Sequence, residues 1–296
     1  MKREDITMSD VVIIGSGPAG LSAALYILRA GFSVTVVGKD NGALEKAESI
    51  QNYFGLEKPI SGNELVEIGK NQVRELGGVI LQDEIVGITW DGDYTVSGVK
   101  EKLPAKAIIL TTGAARRKNR IKNLDKLEGY GVSYCAICDA FLYRGREVAV
   151  LGNSEYALHE VNELLPIVGG VTLVTNGLEP EVEFPPEVTI RKEKIGELEG
   201  EQFLERIRFE DGSTLEVPCM FVALGTAKGS DLARKLGIQI EDNRIVVNEQ
   251  MDTGLPGVFA AGDCIGGILQ VSVAVGEGAK AALSCIKYLR LKKSIL

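Results

Sequence analysis

Val11-Val-Ile-Ile-Gly-Ser-Gly-Pro-Ala-Gly20 reads as a short buried strand running straight into a glycine turn. Leu21 to Ala30 continues as a helix that Gly31 ends, and Ser33 to Val37 is the next β-rich strand. This is a βαβ unit with G-x-G-x-x-G at its first crossover, the context that separates a dinucleotide fingerprint from a chance spacing. Gly15 permits the tight turn, Gly17 lets backbone approach a pyrophosphate, and Gly20 lets helix and strand pack closely. The helix N-terminus then offers N–H groups to phosphates.

The rest of the chain repeats this scheme. Ser61-Gly-Asn-Glu64 has the form of a capping box, and a helix to about Leu76 follows. Ile85–Trp90 and Tyr94–Val99 flank Asp91-Gly92-Asp93, a hairpin signal. Ala107 to Leu110 is a buried strand that runs into Thr111-Thr-Gly-Ala114. A second pass starts at Val148-Ala-Val-Leu151, with a turn at Gly152, a helix over Ser154–Leu165 and a strand over Val171–Val174. Asp211-Gly212 is a further hairpin turn, and Met220–Leu224 closes the pass before Gly225-Thr226. A final strand lies in Gly257-Val-Phe-Ala-Ala-Gly-Asp-Cys264, and a helix from about Val271 to Leu289 follows. The expected fold class is α/β, with two related dinucleotide-binding, Rossmann-like domains.

The bulk properties narrow the function. The 296 residues suit two domains or one large α/β domain, and 45% hydrophobic with 25% charged residues is an ordinary soluble composition. No apolar run reaches the roughly 18 residues of a membrane span. Met1-Lys-Arg-Glu-Asp5 lacks the apolar core of a signal peptide, so the expected location is cytoplasmic. A net charge of −8 argues against nucleic acid and anionic membranes as partners. Five cysteines, one close pair and three singles, do not form a disulfide framework.

Cys135-Ala-Ile-Cys-Asp139 carries the chemistry. A C-x-x-C spacing can close a disulfide or supply two metal ligands. Zinc needs about four ligands, and the chain has one histidine, His159, and no second C-x-x-C. Packed inert thiols are the other bland reading. A redox dithiol is favoured because Asp139 follows directly: a carboxyl group there can deliver and remove the thiol proton. Trp90 is expected to serve packing, His159 to lie on a helix surface, and Cys219 and Cys285 to be buried apolar-like thiols.

The chain resembles the low-molecular-weight thioredoxin reductases over nearly its whole length. The resemblance rests on Gly15-Ser-Gly-Pro-Ala-Gly20, Thr112-Gly113-Ala114, Gly131-Val-Ser-Tyr-Cys-Ala-Ile-Cys-Asp139 and Gly257-Val-Phe-Ala-Ala-Gly-Asp263, in that order. It implies an FAD domain built from both chain ends, 1–115 and 248–296, with a nucleotide-type domain, 116–247, inserted and carrying the cysteines. It also implies a homodimer. Gly15, Ser16, Gly17, Pro18, Ala19, Gly20, Thr112, Gly113, Gly262 and Asp263 then belong to the FAD site. Asn52 and Gln270 resemble positions that touch FAD, and Asp40 follows the second strand, where a ribose partner stands. The implied route runs from reduced flavin to the Cys135–Cys138 disulfide, with Cys138 toward the flavin and Cys135 attacking the disulfide of thioredoxin. A C-x-x-C thiol can have a pKa near ~7, which suits that attack. Asp139 is the proton-transfer group.

Two departures concern the electron donor. Where NADPH-dependent members carry a second glycine turn, this chain has Gly152-Asn-Ser-Glu-Tyr-Ala157, and the Cβ of Ser154 would crowd a pyrophosphate. Their basic cluster for the 2′-phosphate is replaced by Thr175-Asn-Gly177 with Glu179 and Glu181 behind it. Losing two charge-assisted contacts costs roughly 3–6 kcal/mol, about 10²- to 10⁴-fold in affinity. Some members of the family that lack these motifs take electrons from reduced ferredoxin, usually an acidic protein, so the resemblance implies ferredoxin as donor, and Arg116-Arg-Lys-Asn-Arg-Ile-Lys122 is a basic run that suits its docking. Other expectations stay open: NADPH or NADH bound by other residues, a dithiol oxidase passing electrons to oxygen, or a flavin-binding redox sensor.

Overall fold

The computed structural model describes residues 8–113, 121–224 and 229–295. The chain divides into two units, one made of Met1–Ala115 with Lys228–Leu296, the other of Arg116–Ala227.

The first segment contributes β1 (Ser9–Ile14), α1 (Pro18–Arg29), β2 (Val34–Gly38), α2 (Gly62–Glu75), β3 (Val79–Gln82), β4 (Ile85–Asp91), β5 (Asp93–Gly98) and β6 (Lys102–Leu110). The valine- and isoleucine-rich strands β1 and β2 are buried on both faces, as parallel strands between layers must be. The capping box is formed: Ser61 Oγ accepts from Glu64 N at 3.1 Å. The hairpin β4–β5 turns at Gly92, whose φ of 81° only glycine adopts without cost. Trp90, expected to pack, stands 65% exposed because it lies at the turn end of β4, where residues 89–91 are exposed while 85–88 are buried.

The second unit runs through β7 (Val132–Ser133), the one-turn α3 (Ala136–Asp139), β8 (Glu147–Leu151), α4 (Glu155–Leu164), β9 (Gly170–Val174), β10 (Thr189–Arg191), β11 (Ile195–Glu199), β12 (Arg206–Phe209), β13 (Thr214–Glu216) and β14 (Met220–Val222). Its parallel sheet has the order β10-β9-β8-β14-β7, with β11-β12-β13 as a separate antiparallel sheet. Leu127, Leu151, Val174, Phe209 and Met220 share its core.

The chain returns to the first unit with α5 (Gly229–Lys235), the short pair β15 (Ile240–Glu241) and β16 (Arg244–Ile245), β17 (Val258–Ala260) and α6 (Val271–Ile295). The return therefore begins near 228, about twenty residues earlier than the expected 248, because α5 packs on β4 and Lys235 Nζ donates to Val86 O. The helix α6 also runs past the expected Leu289. No helix among the described residues is long and apolar enough to cross a membrane.

The sheet of the first unit has the order β3-β2-β1-β6-β5-β4, and β17 joins the C-terminal half of β6. Its core is the layer where α1 and α6 meet β1, β2 and β6: Ile13, Ala23, Ala24, Ile27, Val36, Ile109, Ala281 and Cys285. Small residues set the helix spacing. A Cβ on Gly278 of α6 would stand 2.1 Å from the carbonyl oxygen of Ala19 in α1. Gly278→Ala gains about 1 kcal/mol of helix propensity, yet it must push two backbones apart. We expect a net loss of about 1–3 kcal/mol, read as a lowered urea midpoint. An unchanged or raised midpoint would refute this close approach.

Candidate functional site

The glycine turn is built as its sequence demands. A Cβ on Gly20 would lie 2.0 Å from Gly15 O, and one on Gly15 would lie 2.1 Å from Thr111 O. Thr111 Oγ1 completes the joint by donating to Ile14 O and Gly15 O, each at 3.0 Å. The space where a Cβ of Gly17 would project holds no atom within 4 Å. Gly17 is the N-cap of α1 and Pro18 its first residue, so the first amides point out of the helix toward that space. Ser16 is buried and its Oγ donates to Asp40 O at 3.1 Å. The Asp40 carboxylate is exposed and accepts from Gly42 N at 2.8 Å.

The other expected FAD residues gather in the same unit. Asn52 Nδ2 donates to Gln270 Oε1 at 3.0 Å, although 218 residues separate them. Thr112 and Gly113 leave the end of β6, and Thr112 Oγ1 is buried with no hydrogen-bond partner among the described residues. Gly262, with a φ of 77°, turns the chain from β17 into Asp263. Burial raises the Asp263 carboxyl above its ordinary range. Glu277 of α6 accepts from Gly262 N at 2.9 Å, and burial raises its carboxyl too, with Asp263 adding repulsion. Sequence reading passed over Glu277; the signal was an acid set among small residues, Ala274-Val-Gly-Glu-Gly-Ala279. An open cradle at a helix N-terminus, an orphaned hydroxyl and an amide pair suit a flavin dinucleotide of phosphates, sugar and ring.

Cys135 and Cys138 are joined as a disulfide with Cα atoms 5.3 Å apart. Cys135, the N-cap of α3, is buried; Cys138 is exposed. The carboxylate of Asp139 accepts from Ser133 Oγ at 2.6 Å, and Ser133 Oγ accepts from Cys135 N at 3.1 Å. Glu160, buried on α4, accepts from Ala136 N at 2.8 Å. The turn is thus held from β7 and from α4. Ser133 and Glu160 were not singled out from sequence; an acid four residues after the inward-facing Tyr156 was the available hint. His159, expected on the surface, is half-buried with its Nε2 enclosed. Among the described residues, no group of three or more histidine, cysteine or acidic side chains converges to hold a metal.

The second turn is filled by the chain itself. Asn153, buried after β8, donates through Nδ2 to Glu179 O at 2.9 Å and Glu181 Oε1 at 3.4 Å, and its own O accepts from Glu181 N at 2.7 Å. Ser154, at the N-cap of α4, is also buried. Thr175 Oγ1 donates to Leu178 O at 2.6 Å, which folds residues 175–178 back on themselves. The basic run 116–122 lies outside the described residues except Ile121 and Lys122; Lys122 pairs with Glu197 at 2.5 Å.

The three remaining cysteines are buried. Burial pushes the Cys219 and Cys264 thiols up to about 12 and raises Cys285 as well. Because their folded values exceed the ordinary 9.0, the stability they contribute is intact below about 9 and is lost as pH rises through about 12. We expect iodoacetamide at pH 8 to label only Cys138 and Cys135 in the reduced native protein, Cys138 faster. The other three should react only in denaturant, as mass spectrometry would report. Native labelling of Cys219 or Cys264 would contradict this burial.

Comparison with known proteins agrees with the geometry. The family model for pyridine nucleotide-disulphide oxidoreductases matches residues 9–278. A thioredoxin reductase from Aquifex aeolicus is 36% identical, covering 97% of this chain and 95% of its own. The crystal structure of the atypical thioredoxin reductase TRi from Desulfovibrio vulgaris Hildenborough superposes with a TM-score of 0.89 at 41% identity, over 97% of this chain and 99% of that one. A ferredoxin-flavin thioredoxin reductase from Clostridium acetobutylicum gives a TM-score of 0.73 at 34% identity, over 96% and 99%.

Proposed function

The chain belongs to the pyridine nucleotide-disulphide oxidoreductase family, as an FAD-binding disulfide reductase of the thioredoxin reductase type, and we propose that it reduces thioredoxin with electrons from reduced ferredoxin. The observation that carries the donor reading is the second turn. Asn153 makes three hydrogen bonds to residues 179–181, and the acids Glu179, paired with Lys192, and Glu181 follow the second strand where the NADPH-dependent pattern has basic residues. A pyridine nucleotide would have to break those bonds and accept that charge. The ferredoxin-linked relative with the same architecture supports the same reading.

The energetics are favourable. Plant-type ferredoxins lie near about −400 mV and thioredoxin near about −270 mV, a gap worth roughly 6 kcal/mol for two electrons. FAD, when bound, supplies the change between one-electron donors and a two-electron disulfide. Gly15, Ser16, Gly17, Pro18, Ala19, Gly20, Asp40, Asn52, Thr112, Gly113, Gly262, Asp263 and Gln270 are the residues we assign to holding it. Cys138 is the sulfur on the flavin side, Cys135 attacks thioredoxin, and Asp139 moves the proton. One dithiol cannot touch flavin and protein substrate at once, so the 116–227 unit must present it to each in turn. A cytoplasmic homodimer completes the proposal.

One anaerobic titration tests the donor. NADPH, then NADH, then reduced ferredoxin are added to the yellow protein while flavin absorbance is followed. We expect bleaching only with ferredoxin, followed by rapid reoxidation by thioredoxin. Rapid bleaching by either nucleotide overturns the donor proposal. Slow reoxidation by thioredoxin with fast reoxidation by oxygen would instead mark an oxidase. Charge reversal at Arg116, Arg117 and Arg120 should slow reduction by ferredoxin and flatten its salt dependence; unchanged rates would remove that run as the docking surface.

A further inference from the structure

We propose that Ser133 is a positioning residue of the dithiol, its hydroxyl fixing the Asp139 carboxylate relative to the backbone of Cys135. The inference rests on the reading above, in which Cys135 and Cys138 reduce thioredoxin.

A one-turn helix cannot hold a side chain in place by itself, since nucleation is costly and no second turn supports it. The helix α3 has four residues, and Asp139 is its last. Glu160 holds the start of the helix at Ala136 N, while at its end Asp139 N donates only one turn back, to Cys135 O at 3.2 Å. Ser133 is anchored differently. It lies on β7, where Ser133 pairs with Phe221 and Val132 with Met220 of β14, and it is 7% exposed. The sheet therefore fixes where its hydroxyl stands.

The hydroxyl has one hydrogen to give. Asp139 Oδ2 lies at 2.6 Å and Cys135 O at 3.5 Å, so the hydrogen goes to the carboxylate. A lone pair then accepts Cys135 N–H at 3.1 Å. The result is a directed chain from the amide of Cys135, through Ser133, to Asp139. Tyr143 and Cys219 are the other titratable groups beside Asp139; burial first of all raises both, so they remain protonated and do not compete for the exchanged proton. Glu160 meets the turn at Ala136 N instead.

The chemistry needs a carboxylate kept in register. Cys135 gives up its proton, its thiolate attacks the substrate disulfide, one S–S bond forms as another breaks, and the departing sulfur takes up the proton that Cys135 released. Cys138 then loses its proton and attacks Cys135 Sγ, which restores the enzyme disulfide and releases the second substrate sulfur as a thiol. Two electrons and two protons pass from enzyme dithiol to substrate disulfide. Asp139 carries the proton released by Cys138. Ser133 carries none; it holds Asp139 where that transfer occurs.

The test uses the full flavoprotein, reduced anaerobically with dithionite and mixed by stopped flow with oxidised thioredoxin or, separately, with 5,5′-dithiobis(2-nitrobenzoate). We expect Ser133→Ala to lower the limiting rate about tenfold, part of the roughly 10²- to 10⁴-fold that a positioned proton-transfer group contributes. The half-saturating thioredoxin concentration should stay within about twofold, and Ser133→Thr, which keeps the hydroxyl, should run within about twofold of wild type. In an Asp139→Asn background, Ser133→Ala should cost less than about twofold more, since it acts through the carboxylate already lost. A wild-type rate in Ser133→Ala, an equal loss in Ser133→Thr, or an undiminished loss in the Asp139→Asn background each overturns the inference. Wild-type protein that reduces the small disulfide but not thioredoxin overturns the functional reading instead, and the Ser133 comparison is then read on the small disulfide.

Discussion

The contact between Gly20 and the carbonyl of Gly15 sets the geometry on which the flavin unit depends. No side chain fits there, because a Cβ would lie 2.0 Å from that oxygen. The N-terminus of α1 is therefore pressed onto the end of β1, and the first amides of α1 open onto empty space at Gly17. The same pressure fixes the neighbours. Thr111 reaches across from β6 to bond both Ile14 and Gly15, and Ala19 leaves room only for Gly278 when α6 crosses. A single close approach thus joins the first strand, the sixth and the last helix around one cradle.

The second unit shows what happens when the same βαβ plan lacks that freedom. Its turn keeps Gly152, whose Cβ would collide with Ala223 O at 2.3 Å, so the helix still packs closely. Beyond it, Asn153 and Ser154 stand buried, and Glu179 and Glu181 are hydrogen-bonded to Asn153. The scaffold also acts as support. Its α4 delivers Glu160 to the amide of Ala136, so a helix of nucleotide-binding type now braces the redox turn.

Local signals made much of this legible. The fingerprint, the capping box at Ser61, the hairpin at Gly92 and the adjacent Cys-Ala-Ile-Cys-Asp each depend on residues a few positions apart. What escaped depends on distance or on environment. The bond between Asn52 and Gln270 could be expected only by likeness to related chains, because 218 residues lie between them. Glu277 and Glu160 are acids placed by packing, and periodicity alone does not say which acid turns inward. Trp90, expected to pack, is exposed because it lies in the solvent-facing end of β4 beside the turn. The return near 228 was misjudged because α5 and the short strands after it carry weak patterns.

The shared edge of β6 has a consequence for how the molecule is made. Its N-terminal half pairs with β5, close in sequence, while its C-terminal half pairs with β17, about 150 residues later. A ribosome therefore completes the 116–227 segment before the first unit can close its sheet. The contiguous insert's described strands pair only with one another, so it can fold during synthesis, while the first unit waits with an unpaired edge on β6 and an uncovered face on α1. Arrival of β17 and α6 is then the step that closes the sheet of the first unit, and until then its open edge is the part exposed to aggregation.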